Sequence, residues 1–202
     1  MNIADYFDSR AAKWDDHYVP CLPARSAVAF LSGAAVGARM LDIGCGTGVM
    51  FPELLSTGVS ELVAVDISPA MAAIAAEKFA GEPRLRVFCA DILQFTSGDF
   101  DAALVYDAYP HFPDRPALIQ KVRQLLKPGG RFTVAHGAGR ARINECHLKV
   151  PPPVKTPLLS AREEAVLWSP YFNVDQMIDA PHFYLISGTT AALPVGTSAE
   201  PP

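Results

Sequence analysis

From Arg39 onward, short aliphatic and β-branched runs alternate with stretches whose apolar positions recur every three to four residues. That pattern predicts a parallel sheet wrapped by crossover helices. The runs Arg39 to Ile43, Glu61 to Asp66, Leu85 to Cys89 and Phe100 to Tyr106 read as the first four strands. Arg131 to His136 follows the Lys127-Pro128-Gly129-Gly130 turn as a fifth, and Phe172 to Met177 with His182 to Ser187 reads as a closing hairpin at one edge. Ser68-Pro69 opens a helix, with the hydroxyl as N-cap and proline in the first helical position, and Gly81 stops it. The stretch Arg115 to Leu126 places Leu118, Ile119, Val122, Leu125 and Leu126 on one face, predicting a helix that lies on the sheet. Ahead of the sheet, Asp5 to Tyr18 and Pro23 to Ala35 read as two helices.

The chain therefore divides into an N-terminal helical lid (1–38), an α/β core with a seven-stranded, mostly parallel Rossmann-like sheet and helices on both faces (39–190), and a flexible tail (191–202). Its 202 residues are half apolar and 19% charged, enough for a sizeable core and incompatible with global disorder. Seventeen Lys and Arg against twenty-one Asp and Glu give a net charge of −4 without a basic cluster, which argues against a nucleic-acid partner. Acids near the start argue against a secretory signal. Ser26 to Ala38 is too short for a membrane span, and Ala180 to Ala199 is diluted by Gly, Ser, Thr and Pro. Cys21, Cys45, Cys89 and Cys146 form no C-x-x-C pair, so no metal site or disulfide framework is expected and a reducing cytoplasm fits.

The candidate chemistry begins at Leu41-Asp42-Ile43-Gly44-Cys45-Gly46-Thr47-Gly48, a strand ending in an acid and running into alternating glycines. Glycines admit positive φ and let a ligand approach bare backbone. The dinucleotide fingerprint G-x-G-x-x-G would need a small residue at position 49, where Val49 stands; this disfavours a nicotinamide oxidoreductase. Asp66 ends the next strand, where a carboxylate can accept both hydroxyls of a ribose; equally, it can cap the helix at Ser68. Asp91, after the third strand, is placed to receive an exocyclic amino group, with Ile67 and Ile92 sandwiching a purine, or else is a turn residue. Three acids at three successive strand ends outline a nucleoside pocket.

These residues resemble motifs I, II and III of the class I S-adenosylmethionine-dependent methyltransferases, closest to the group containing the ubiquinone and menaquinone C-methyltransferases. The resemblance runs over about residues 5 to 187; Asp101 to Asp107 is similar to the family's fourth strand and Leu125 to Phe132 to its turn into the fifth. It implies methyl transfer, with S-adenosylhomocysteine as product; the absence of an N-x-P-P-Y-type signature, where Asp107-Ala108-Tyr109-Pro110 stands after strand four, and the acidic net charge turn the expectation to a small-molecule acceptor. It also implies that Asp42 and the Gly44, Cys45, Gly46 and Gly48 backbone hold the methionine part, Asp66 the ribose, and Asp91 with Ile92 the adenine. Ile67 and Tyr106 join the cofactor-binding candidates. The region around Asp5-Tyr6-Phe7 and Lys13-Trp14-Asp15 resembles a helix folded over the cofactor.

The donor motifs say little about the acceptor. A base, if one is used, is expected from the ends of strands four and five: Asp107, His111 or His136. If residues 136–147 are helical, His136, Arg140, Asn144 and His147 lie within about 80° of one another, a substrate-site stripe or a solvated face. Tyr6, Trp14, Tyr18, Tyr109 and Phe112 can line a pocket for a flat acceptor or belong to the core. A module that binds the cofactor without turnover is the alternative function.

Overall fold

In the computed structural model, which describes residues 2–17, 22–151 and 154–191, seven strands form one sheet in the order β3-β2-β1-β4-β5-β7-β6. Strands β1 (Arg39–Ile43), β2 (Glu61–Asp66), β3 (Leu85–Cys89) and β4 (Phe100–Tyr106) have the bounds expected from the sequence. Strand β5 (Leu126–His136) starts earlier than expected, because the Lys127 to Gly130 turn is absorbed into a strand whose Leu126 pairs with Phe100. The hairpin of β6 (Phe172–Ala180) and β7 (Phe183–Thr190) closes the sheet, with β7 running antiparallel to β5. The other pairings are parallel.

The central strands are buried on both faces, so their side chains alternate between two cores. Leu41, Ile43, Val63, Val65 and Phe132 face one core, covered by helices α5 (Arg115–Leu125) and α7 (Ala161–Trp168). Met40, Leu62, Ala64 and Leu104 face the other, shared with α2 (Leu22–Leu31), α3 (Phe51–Ser56) and α4 (Pro69–Lys78). Within the first core, Trp168 stacks on Phe132 at 4.4 Å. The buried Glu164 accepts from Arg115 at 2.6 Å and from the Tyr109 hydroxyl at 3.0 Å.

Two expectations are corrected. The N-terminal region is not one helix from Asp5 to Tyr18 but α1 (Ile3–Asp8), started by an Asn2/Asp5 capping box, and two 3₁₀ turns over 11–13 and 15–17; Tyr18 and Cys21 lie outside the described residues. The stretch 136–147 is not a continuous helix, since His136 closes β5 and α6 spans Arg140–Cys146. The tail at 192–202 also lies outside the described residues.

Candidate active site

At the carboxyl ends of β1, β2 and β4, where an open α/β sheet receives ligands, a cavity of about 410 Å³ opens. Its floor is the glycine turn. The amides of Gly44 and Cys45 both donate to the Val65 carbonyl, at 2.8 and 3.2 Å, tying the end of β1 to the end of β2. Gly44 sits at φ +69°, and a Cβ there would stand 2.9 Å from the Ala108 Cβ. Gly46, at φ +55°, would send its Cβ into the space below the Trp14 indole, 3.8 Å from Nε1. The turn needs glycine both for conformation and for room above it.

Asp66 takes the helix-capping role considered from its position and adds to it a brace on the glycine turn. Its Oδ2 accepts from the Gly46 amide at 2.8 Å and its Oδ1 from the Ser68 amide at 2.9 Å, so it braces the turn and orients the start of α4. Each carboxylate oxygen keeps further acceptor capacity. Burial raises its pKa against the pull of those two amides. Asp42 shares its strand face with Met40, is 2% exposed, and does not line the cavity. Burial first, and repulsion from Asp66 second, push its carboxyl up to about 7. Asp91 caps the short turn at Ile92–Gln94, accepting from the Leu93 amide at 2.9 Å, while facing the cavity.

The N-terminal segment closes the top through two acids. Asp8 accepts from the Ser68 hydroxyl and from the Ala70 amide (3.0 Å). Asp15 accepts from the Thr47 hydroxyl at 2.6 Å and from Lys78 at 2.9 Å; burial works against its ionisation, but these bonds outweigh it and leave its pKa lowered. Phe7 and Trp14 are thereby held over the cavity, edge to face at 5.6 Å.

Of the residues singled out from the sequence, Trp14, Gly44, Cys45, Gly46, Asp66, Ile67, Asp91, Ile92, Tyr106, Asp107, His111 and Phe112 line this cavity. Asp107 turns the chain out of β4 at φ +53°, with Oδ1 accepting from the Gly137 amide at 3.0 Å.

Asp42, Gly48, Tyr6, Tyr109, His136, Arg140, Asn144 and His147 do not line it. Gly48 instead allows close packing, since a Cβ would meet the Phe51 ring at 2.7 Å. Tyr6 is buried beneath the Arg10 guanidinium, and Tyr109 belongs to the Glu164 network in the core. His136 is fully buried; its Nδ1 lies 3.2 Å from Asp107 Oδ1 but is not aligned with it, so both ring nitrogens lack a hydrogen-bond partner among the described residues. Arg140 pairs with Asp179 at 3.0 Å. Asn144 donates to the Leu158 carbonyl and accepts from its amide, fastening the chain rather than offering its amide to a ligand. Sequence reasoning placed the Asp5-Tyr6-Phe7 region over the site but named Tyr6 as its pocket aromatic, whereas the helical register set by the Asn2/Asp5 capping box aims Phe7.

Residues 41–134 match a family model described as a methyltransferase domain. A ubiquinone biosynthesis O-methyltransferase of Xanthomonas oryzae is 32% identical over 102 residues, covering 48% of this chain and 41% of the relative. A sterol 4-C-methyltransferase of Caenorhabditis elegans is 33% identical over 99 residues, 46% of this chain and 29% of the relative. The chain thus spans less than half the length of these relatives. Among solved structures, the N-methyltransferase NodS of Bradyrhizobium japonicum, with S-adenosyl-L-homocysteine, superimposes with a TM-score of 0.75 at 16% identity, covering 95% of this chain and all of that one. A putative methyltransferase of Haloferax volcanii in complex with an activator superimposes at 0.77 and 18% identity, covering 92% and 98%. The sheet order and these matches converge: residues 41–134 are similar to a methyltransferase domain, and the chain has the fold of the solved methyltransferases.

Proposed function

We propose that the protein transfers a methyl group from S-adenosylmethionine to a small-molecule acceptor. The observation that carries this reading is the joining of the glycine turn and Asp66 beneath a cavity of about 410 Å³, within the range of roughly 300–1,000 Å³ usual for small-molecule sites. The residues fit the donor. The side-chain-free ground above Gly44 and Gly46 admits its amino-acid part, the spare acceptor capacity of Asp66 suits ribose hydroxyls, and Asp91, Ile67 and Ile92 suit an adenine edge and faces. Bound there, the donor supplies an electrophilic methyl on a sulfonium.

The protein's task is then positioning. Holding nucleophile and methyl in line about 3–3.5 Å apart can supply roughly 7–11 kcal/mol of the barrier. Phe7, Trp14 and Phe112 cover the site and exclude water, and Asp107 is the carboxylate nearest the end of β4 that can steady the acceptor. His111 faces the cavity, but both its nitrogens are engaged elsewhere, by the Val154 carbonyl and His147. Calorimetry tests the donor: S-adenosylhomocysteine should bind one-to-one with NAD failing to compete, and the reverse preference would reject the reading. A screen of small acceptors with labelled donor separates an enzyme from a module that binds the cofactor without turnover.

A further inference from the structure

The described wall of the cavity carries charge of one sign. Asp66, Asp91, Asp107 and Asp114 line it, with no Lys or Arg beside them. Among the described residues none of these four carboxylates has a Lys or Arg partner elsewhere; the nearest basic group to any of them is the His136 ring beside Asp107. His111 also lines the cavity, but burial first, and then the charges of His147 and His136, hold it down at about 4 against the pull of its bond to Val154. Near neutrality it therefore adds no positive charge. Carboxylates drawn out of water call for a counter-charge. S-adenosylmethionine, with one carboxylate set against an ammonium and a sulfonium, brings a single net positive charge and leaves most of that demand to the acceptor.

Asp107 is the carboxylate best placed to meet the acceptor. It follows β4 directly, and its neighbour Ala108 stands with the Phe112 ring over Gly44: a Cβ on that glycine would lie 2.9 Å from the Ala108 Cβ and 3.7 Å from the ring. The other three acids are engaged in the fold. Asp66 braces Gly46 and Ser68, Asp91 caps the turn at Ile92–Gln94, and Asp114 caps α5 through the Ala117 amide at 2.9 Å. Asp107 holds only the Gly137 amide, through Oδ1, and its Oδ2 takes no hydrogen bond among the described residues. Behind it the fully buried His136 brings Nδ1 to 3.2 Å from Oδ1 without aligning, and both nitrogens of that ring stay unmet. The polar groups around Asp107 are thus satisfied neither by a cation nor by a full set of hydrogen bonds. The same lining is otherwise rich in apolar surface, with Phe7, Phe112, Pro113 and Leu118. A carboxylate among aromatic rings receives an ammonium on an apolar body, since the carboxylate pairs with the charge and the ring faces attract it.

We propose that the acceptor is a small apolar amine, bound as its ammonium against Asp107, and that Asp107 takes the proton whose loss frees the nitrogen lone pair. This rests on the methyl-transfer reading and names the acceptor class for that site. One N–H bond of the ammonium breaks and its proton passes to Asp107 Oδ2. The freed pair forms the N–C bond as the C–S bond of the sulfonium breaks, and the electrons of that bond stay on sulfur, giving S-adenosylhomocysteine. The product is an N-methylammonium, and Asp107 returns its proton to water. A carboxylate or phosphate acceptor would meet no Lys or Arg in the described lining.

Two titrations of the full chain separate this inference from the reading beneath it. S-adenosylhomocysteine is titrated first, and absence of binding there removes the methyltransferase reading together with this inference. The saturated complex is then titrated calorimetrically near pH 7 with phenethylamine, 2-phenylethanol and 3-phenylpropionate, which share one apolar body and differ in head group, and with their indole equivalents. The amines should bind at least roughly tenfold tighter than the matched alcohols and acids, as a hydrogen bond to a charged group implies. Asp107→Asn keeps the shape, suits the left-handed backbone at φ +53°, and should erase that preference while S-adenosylhomocysteine affinity stays unchanged. Circular dichroism checks that the variant is folded, and Asp107→Ser replaces it if it is not. Once S-adenosylhomocysteine binds, equal affinity across the head groups, tighter binding of alcohol or acid, or no amine binding overturns the amine assignment and leaves the donor reading standing. An amine preference that survives the substitution overturns the role of Asp107.

Discussion

Substituting Asp42 by Asn should change how stability depends on pH, and the sign follows from the fold. In the native protein burial and Asp66 raise this carboxyl from 3.8 to about 7. Between those values the folded state keeps a proton that the unfolded chain has released, so Asp42 makes stability fall as pH rises, by up to about 1.4 kcal/mol per pH unit. The penalty vanishes at acid pH and levels off above about 7. A shift of roughly three units sets an upper bound of about 4 kcal/mol, and coupling of this titration to that of Asp66 brings the expected figure to about 2–3 kcal/mol. Asn keeps the shape and removes the charge. With a urea dependence of about 2–3 kcal/mol per molar, the variant should gain about 1 M in unfolding midpoint near pH 8 relative to its difference from wild type near pH 4.5. Comparing the two pH values cancels any fixed effect of the amide. Urea curves whose midpoints run parallel across this range in both proteins would refute the reasoning.

Asp66→Ala should weaken S-adenosylhomocysteine binding roughly 10- to 100-fold in calorimetry, because hydrogen bonds to a charged group contribute about 1.5–3 kcal/mol. Ser68→Ala removes the helix cap and the hydroxyl bonded to Asp8, while the Ala70 amide still holds Asp8, so it should lower stability by about 1 kcal/mol and weaken S-adenosylhomocysteine binding less than Asp66→Ala does. Gly44→Ala, straining a positive φ and pressing on Ala108, should cost about 1–3 kcal/mol in denaturation and reduce donor affinity with it. Glu164→Ala should cost about 3–5 kcal/mol by leaving Arg115 buried without its partner, measured by the same unfolding curves.

The four central strands were legible because each is a short apolar run bounded by turn residues, and burial on both faces of a parallel sheet demands that composition. Most of the residues proposed to hold the donor meet in one cavity for a related reason: they sit at fixed strand ends, so local spacing carries the three-dimensional arrangement. The acceptor side was not. Arg140, Asn144 and His147 form a polar stripe in sequence, yet Arg140 is spent on Asp179, Asn144 on Leu158 and His147 on His111, partners that come from other elements. Tyr109 looked like a pocket aromatic but answers to Glu164, which lies 55 residues away. Helix α7 went unnoticed although Ser160 and Glu163 spell out its capping box, because its apolar face is short and its place is set by packing on β6. The ties from Asp8 and Asp15 to the site likewise have no local signature.

The single carboxylate that braces the glycine turn also acts as a proofreader of assembly. Asp66 can reach the Gly46 amide only when β1 and β2 lie in the register that puts Ile43 opposite Val65. A slip of one residue would turn Asp66 to the opposite face of the sheet and leave the turn without its support. Chains with misaligned strands therefore lack the braced turn that floors the cavity, and a ligand that binds there stabilises correctly paired molecules alone.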